Sequence, residues 1–371
     1  MSKKNVKTPM KVIPKNSRIF WHSYVADKGG CGHIRVIIPS LLVNMKRFGN
    51  LNINLYPQYG MNYILDGEYY KNKLFVIFQR AATEDQLKIV KYLKNNVFNK
   101  TGTKIIYELD DDLIDVPEWN MAADFYNKNR KNSLEIISRS FGVTTSTEHL
   151  AKKIRKYNKN VKVIPNHLPK FVWGEIPEIK ETEEKPKILW FGSSNHFSIP
   201  NSDKEGGDFG SELINFIRKT VDIYDWIFVG AMPKEIIDIK DKFYHYKWTT
   251  IFEYPSLIKS LNANVGIAPL LKHDFNRSKS NIKALEYIAS GIPGVYTNIT
   301  PYENLKNVCE TDNYMIDRIE HLANNPDFRK ETLEYDYNMV KDQLFWEEND
   351  NIKKYVDTYL NFFNMRLPNE D

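Results

Sequence analysis

The chain has 371 residues, 42% hydrophobic and 27% charged, with a formal net charge of +5. Its length is on the scale of two ordinary domains, and its composition is that of a folded chain rather than a disordered one. No run approaches the ~20 apolar residues needed to cross a bilayer, which argues against membrane insertion, and the isolated Cys31 and Cys309 give neither a disulfide framework nor metal-ligand spacing.

The first stretch, MSKKNVKTPMKVIPKNSR, is basic but has no apolar core of the secretory kind, so it reads as a loose tail on a cytoplasmic protein. A strand is expected over residues 17–22, then a glycine-rich turn and a helix over 33–46. Strands follow at 74–79 (LFVIFQ) and 104–109 (KIIYEL), with helices over 84–95, 122–138 and 148–156, and KVIP at 162–165 closes this half. The segment PKFVWGEIPEIKETEEKP lacks periodicity and has the composition of a linker. Alternation restarts with KILWF at 187–191. Strands are expected at 226–229, 243–246, 264–268 and 294–296, with a helix over 281–289 and mostly helix from 313 onward. The expected organisation is a first Rossmann-like domain over 1–168, a linker over 169–186, a second Rossmann-like domain over 187–345, and a terminal segment over 346–371. Ligands of open parallel sheets bind at the carboxyl ends of the strands, so function belongs in the loops that follow them.

The segment FNRSKSNIKALEYIASGIPGV carries the strongest chemical signal. Ser280 or Asn281 is placed to cap a helix whose free N–H groups suit a diphosphate, and Lys283 adds positive charge to its first turn. Glu286 lies three residues further on the same face, where a carboxylate suits two neighbouring ribose hydroxyls. The bland alternative, a capped surface helix with an ordinary Lys–Glu pair, weighs equally on spacing alone. The motif resembles the donor-binding motif of family-4-like retaining GT-B glycosyltransferases, close to S-x-x-K-x-x-E-Y-x-A-x-G-x-P. Ser280, Lys283, Glu286, Tyr287, Ala289, Gly291 and Pro293 all match it. The resemblance implies an α/β fold of two Rossmann-like domains facing across a cleft, with the C-terminal helix crossing back to the first domain. It also implies a nucleotide-sugar donor, UDP-linked, with its diphosphate held by Lys283 and its ribose by Glu286. Retention by front-face attack without an essential metal or cofactor is implied as well. Many members carry a further glutamate eight residues before Glu286. Here that residue is Ser278, which leaves the donor sugar open.

Three loops complete the candidate cleft. After KILWF come Gly192, Ser193, Ser194, Asn195 and His196, small residues that let backbone amides approach a phosphate. The arginine that relatives supply near this loop is not evident, and Arg277 or Lys279 is a candidate substitute. His196 reads as structural rather than catalytic. After the first strand, KGGCGHIR places Gly30 and Gly32 for positive φ and close approach to a donor; the spacing is not the dinucleotide fingerprint. Its G-C-G resembles the loop of bacteriophage α-glucosyltransferases that modify 5-hydroxymethylcytosine in DNA. Finally, Asp110, Asp111 and Asp112 end a buried-looking strand. They suit sugar or acceptor hydroxyls, a divalent cation, or a plain acidic loop, and the first is favoured, with Asp110 and Asp111 as the catalytic candidates. The expected function is transfer of glucose or arabinose to an acceptor hydroxyl, in phage DNA by preference, with Arg35 and Arg80 holding the duplex backbone. The alternatives are a surface-polysaccharide enzyme and a non-catalytic nucleotide-binding module.

Overall fold

The computed structural model describes residues 9–27, 29–60, 62–179, 185–197 and 207–368. Two six-stranded sheets, all parallel, form the frame. The first comprises β1 (Arg18–Val25), β2 (Asn52–Tyr59), β3 (Phe75–Gln79), β4 (Lys104–Leu109), β5 (Gly142–Thr145) and β6 (Val161–Val163), in the order β2-β1-β3-β4-β5-β6. The second comprises β7 (Lys187–Gly192), β8 (Asp225–Gly230), β9 (Tyr244–Tyr246), β10 (Val265–Ala268), β11 (Gly294–Thr297) and β12 (Val308–Cys309), in the order β9-β8-β7-β10-β11-β12. Each sheet is covered on both faces by its own apolar clusters. That is why a central strand such as FVIFQ is buried along its whole length instead of alternating.

Helices cover the faces: α1 (Ile38–Met45), α2 (Glu84–Tyr92), α3 (Ala123–Arg139), α4 (Glu148–Ile154), α5 (Ser211–Lys219), α6 (Tyr254–Ser260), α7 (Ile282–Ala289), α8 (Asp312–Asn324), α9 (Pro326–Leu344) and α10 (Asn351–Leu360). The helix expected over 33–46 begins earlier, at Gly30, and runs unbroken to Met45, with a π-helical turn at His33–Ile37 before α1. Strands β2, β5 and β12 are additions to the sequence reading. Strand β2 is an edge strand with Pro57 in it, and its NINLYPQY buries only part of one face.

The terminal helix α10 places Ile352, Tyr355, Val356, Tyr359 and Leu360 among Trp21, Ile38 and Phe75 of the first domain. The Tyr359 ring lies 5.5 Å from Trp21 and 5.3 Å from Phe75. The chain thus crosses between the domains twice, and the crossings touch: Leu168 N donates to Leu344 O at 2.8 Å, and Trp346 N donates to Leu168 O at 2.9 Å. Beyond α10, Met365–Arg366 pairs in parallel with Lys11–Val12.

The domains also meet across the cleft. Thr147 Oγ1 donates to Ser278 O at 2.9 Å, Lys153 Nζ reaches Asp274 Oδ2 at 2.7 Å, and Phe275 is buried in the first domain's core. Among the described residues, no helix is long and apolar enough to cross a membrane.

Candidate functional site

The carboxyl ends of the two sheets enclose a cavity of about 230 Å³. Gly30, Arg35, Arg80, Asp110 and Asp111 line it from the first domain, and Lys279, Ser280, Lys283, Glu286 and His196 from the second. Segments more than 200 residues apart in sequence therefore meet in one place.

On the second-domain wall, the first turn of α7 sets Lys283 beneath the end of β7. Its Nζ donates to the carbonyl of Phe191 and lies 4.6 Å from the Trp190 ring centre and 5.2 Å from that of Phe191. Burial, with a smaller push from Lys279, lowers its pKa to about 7 against the pull of Glu286 and Asp208. Glu286 is half-buried beside Tyr254, and burial raises its carboxyl to about 8, against Lys283 and the Tyr254 hydroxyl. Among the described residues these two groups form no direct ion pair with each other. A buried amine and a half-buried carboxyl held this way are costly in the empty site, and an entering anion and hydroxyls relieve that cost.

The expected cap is different in the structure. No side chain caps α7. Ser280 Oγ instead accepts from Asn166 Nδ2 at 2.7 Å, and the Asn281 amide exchanges hydrogen bonds with Gln343, at 3.0 and 3.3 Å. Both residues tie the helix start to the crossover region and leave its first N–H groups without a side-chain acceptor.

The glycine assignments also change. None of Gly29, Gly30 and Gly32 has positive φ. The loop is closed by Asp27, whose Oδ1 accepts from Gly29 N at 2.8 Å and Gly32 N at 3.2 Å. At Gly32 a Cβ would lie 2.1 Å from Asp27 O, so this glycine is demanded by packing, whereas Gly30 faces open space on the cavity. Gly192 and Ser193 do not line the cavity. At Gly192 a Cβ would lie 2.6 Å from the Trp190 ring, again a packing requirement.

On the first-domain wall the charges are matched. Arg80 is held at φ 51° and clasps Asp110 through both carboxylate oxygens, at 2.5 and 2.7 Å, with Cys31 Sγ 3.0 Å away. Burial pushes the Asp110 carboxyl up, but Arg80 and then Arg35 outweigh it and hold its pKa below the usual value. Arg35 is buried and donates to Glu108 Oε1 at 2.8 Å, Ile164 O at 2.5 Å and Asn166 Oδ1 at 2.9 Å. Neither arginine offers a free guanidinium to a duplex backbone, because each is spent on internal acceptors.

The acidic run separates into three environments. Asp110 belongs to Arg80, and Asp112 is buried against Lys153. Asp110 and Asp111 both line the cleft, but Asp111 is the one met from the other domain, with Lys279 Nζ 3.5 Å from its Oδ2. Arg277 is exposed and off the cavity, whereas Lys279 lines it. Among the described residues, no group of three or more His, Cys, Asp or Glu is gathered as a metal site.

The partner of one wall residue had no sequence signal. His196 Nδ1 lies 2.6 Å from Asp208 Oδ2. The other oxygen of Asp208 accepts from Leu271 N at 2.8 Å and Asn276 Nδ2 at 2.7 Å. Only the fold brings these positions together.

The architecture, two Rossmann-like domains across a cleft with the terminal helix returned to the first, is GT-B. No family model matches the chain, and no curated protein matches it in sequence. Among solved structures it is similar to the N-terminal domain of Candida albicans trehalose-6-phosphate phosphatase, with a TM-score of 0.56 and 9% identity, covering 96% of this chain and 98% of that one. A Thermobaculum terrenum O-GlcNAc transferase variant aligns with a TM-score of 0.49 and 10% identity, over 96% of this chain and 70% of that one. At such identities the likeness concerns the fold alone.

Proposed function

We infer that the protein is a glycosyltransferase that moves a sugar, with retention, from a UDP-linked donor to an acceptor hydroxyl. The observation that carries this reading is the single cavity joining Lys283 and Glu286 to Asp110 and Asp111. Lys283 and the uncapped start of α7 favour the donor diphosphate, where negative charge grows as the sugar leaves. Glu286, half-buried beside Tyr254, suits the ribose. Asp111 faces sugar or acceptor, with Asp110 fixed behind it by Arg80. With cations already in place, the chemistry needs no metal.

The proposed acceptor is a hydroxymethylated pyrimidine in duplex DNA, and glucose or arabinose the donated sugar. A second cavity of about 230 Å³ beside Arg80 supports a planar acceptor. Tyr63, Phe125 and Tyr126 line it, surfaces on which a base turned out of the stack can rest, over the buried Tyr24 and Phe78. The test is mass analysis of hydroxymethylated DNA incubated with the protein and a panel of UDP-sugars, with and without EDTA. A sugar adduct formed in both conditions is expected. UDP-sugar hydrolysis without DNA modification would move the acceptor to a saccharide, and neither activity would leave a nucleotide-binding module.

A further inference from the structure

We propose that His196, oriented by Asp208, takes a proton from solvent when the donor diphosphate enters and becomes a second cation of that site beside Lys283. The inference rests on the donor reading given above and adds a group and a proton to it.

The geometry begins with Asp208, whose carboxylate is buried and accepts from Leu271 N and Asn276 Nδ2 on one oxygen while meeting His196 Nδ1 on the other. An ionised carboxylate only accepts, so the ring proton sits on Nδ1. The neutral ring then carries a bare lone pair on Nε2, and among the described residues Nε2 has no hydrogen-bond partner. The ring forms part of the cavity wall with Lys283, Lys279 and Tyr302. A bare lone pair repels a phosphate oxygen, whereas Nε2–H donates to it. A diphosphate lying against this wall therefore requires the charged ring.

The charged groups facing His196 are Asp208, Lys283 and Lys279. In the empty cavity burial, followed by Lys283, depresses the imidazole to about 4, and Asp208 opposes them. An entering diphosphate offsets both lysines and adds its own attraction, so the balance reverses while Asp208 stabilises the imidazolium. The proton binds to Nε2 with no bond made or broken in the substrate. As the sugar departs, the charge left on the diphosphate faces a donor already in place.

The test is ¹⁵N-histidine NMR of the full chain at pH 7, free and saturated with UDP-glucose, using GDP-glucose and ADP-glucose as alternates for the base. The His196 signals are assigned by their loss in His196→Gln. A neutral ring protonated on Nδ1 is expected in the free protein, and a ring protonated on both nitrogens in the complex. In Asp208→Asn the ring should stay neutral when the nucleotide is bound. As a second measurement, the ratio of wild-type to His196→Gln affinity should grow about tenfold per pH unit as pH falls from 7 to 5. A neutral ring in the saturated wild-type complex, or a ratio that does not change with pH, overturns the inference and leaves the donor reading standing. Failure of all three nucleotide sugars to bind removes the donor reading and this inference with it.

Discussion

The two walls of the cleft treat charge in opposite ways. On the first-domain wall, Arg80 meets both oxygens of Asp110 and Arg35 meets one oxygen of Glu108 and two further acceptors, so each charge has an opposite partner. On the second-domain wall, Lys283 leans on a carbonyl and two aromatic rings, and Glu286 is raised to about 8. A saturated wall holds its shape with or without substrate. An unsaturated wall is improved by a ligand, and the differential stabilisation that binding needs is stored there. The contrast assigns rigidity to the first domain and affinity to the second.

The largest expected effect on binding comes from removing the unpaired amine. Lys283→Met should weaken UDP-sugar binding by about 100-fold or more, because it deletes the charge that the proposed function sets against phosphate. Its thermal midpoint without ligand should match or exceed the wild-type value, since no amine is left buried. Titration calorimetry and thermal melts check both halves, and a large drop in the midpoint would mean that the lysine is a structural pillar.

On the other wall the same kind of change should act on the fold. Arg80→Met leaves Asp110 buried without its partner, which should cost about 3–5 kcal/mol of stability in urea unfolding. A loss below about 1 kcal/mol would mean that the two walls do not differ as described.

Glu286 supplies a pH test of intermediate size. Its carboxyl is raised from an ordinary 4.5 to about 8. The associated stability is complete below the unfolded value and is lost as pH rises through about 8. Glu286→Gln removes that dependence, so the variant should gain on the wild type by about a few kcal/mol between pH 5 and pH 8.5. Parallel stability curves in denaturant titrations would show that Glu286 is not desolvated in solution.

The smallest effect on binding is expected at Asp111, the cleft-lining acidic residue of the run that no arginine clasps. Asp111→Asn should lower kcat about tenfold with donor Kd within about twofold, the pattern of a contact made in the closed complex. Equal loss in both would place Asp111 on the donor itself.

These contrasts were only partly legible in the sequence. The central strands and α7 announced themselves because runs such as KIIYEL and the spacing of Lys283 and Glu286 are local. Strand β2 did not, because it is an edge strand interrupted by Pro57. The acidic run read as one feature although its members face three ways, since side-chain direction at the end of a strand is decided by what packs there. The partners of Arg35 are 73, 129 and 131 residues away, and Asp208, which meets His196, is itself held by Asn276 from a distant segment. No periodicity encodes such meetings.

The paired crossings at Leu168 and residues 344–346 have a consequence for how the molecule opens. A single tether lets two bodies swivel freely, whereas two tethers hydrogen-bonded side by side confine them to swinging about one line. The domains should part like the covers of a book and return to the same register each time, so Asp111 meets Lys279 again without a search. The arrangement also outlasts a break. After one cut between the crossings, the downstream fragment still keeps α10 threaded into the first domain's core, and the particle should migrate as one on a sizing column.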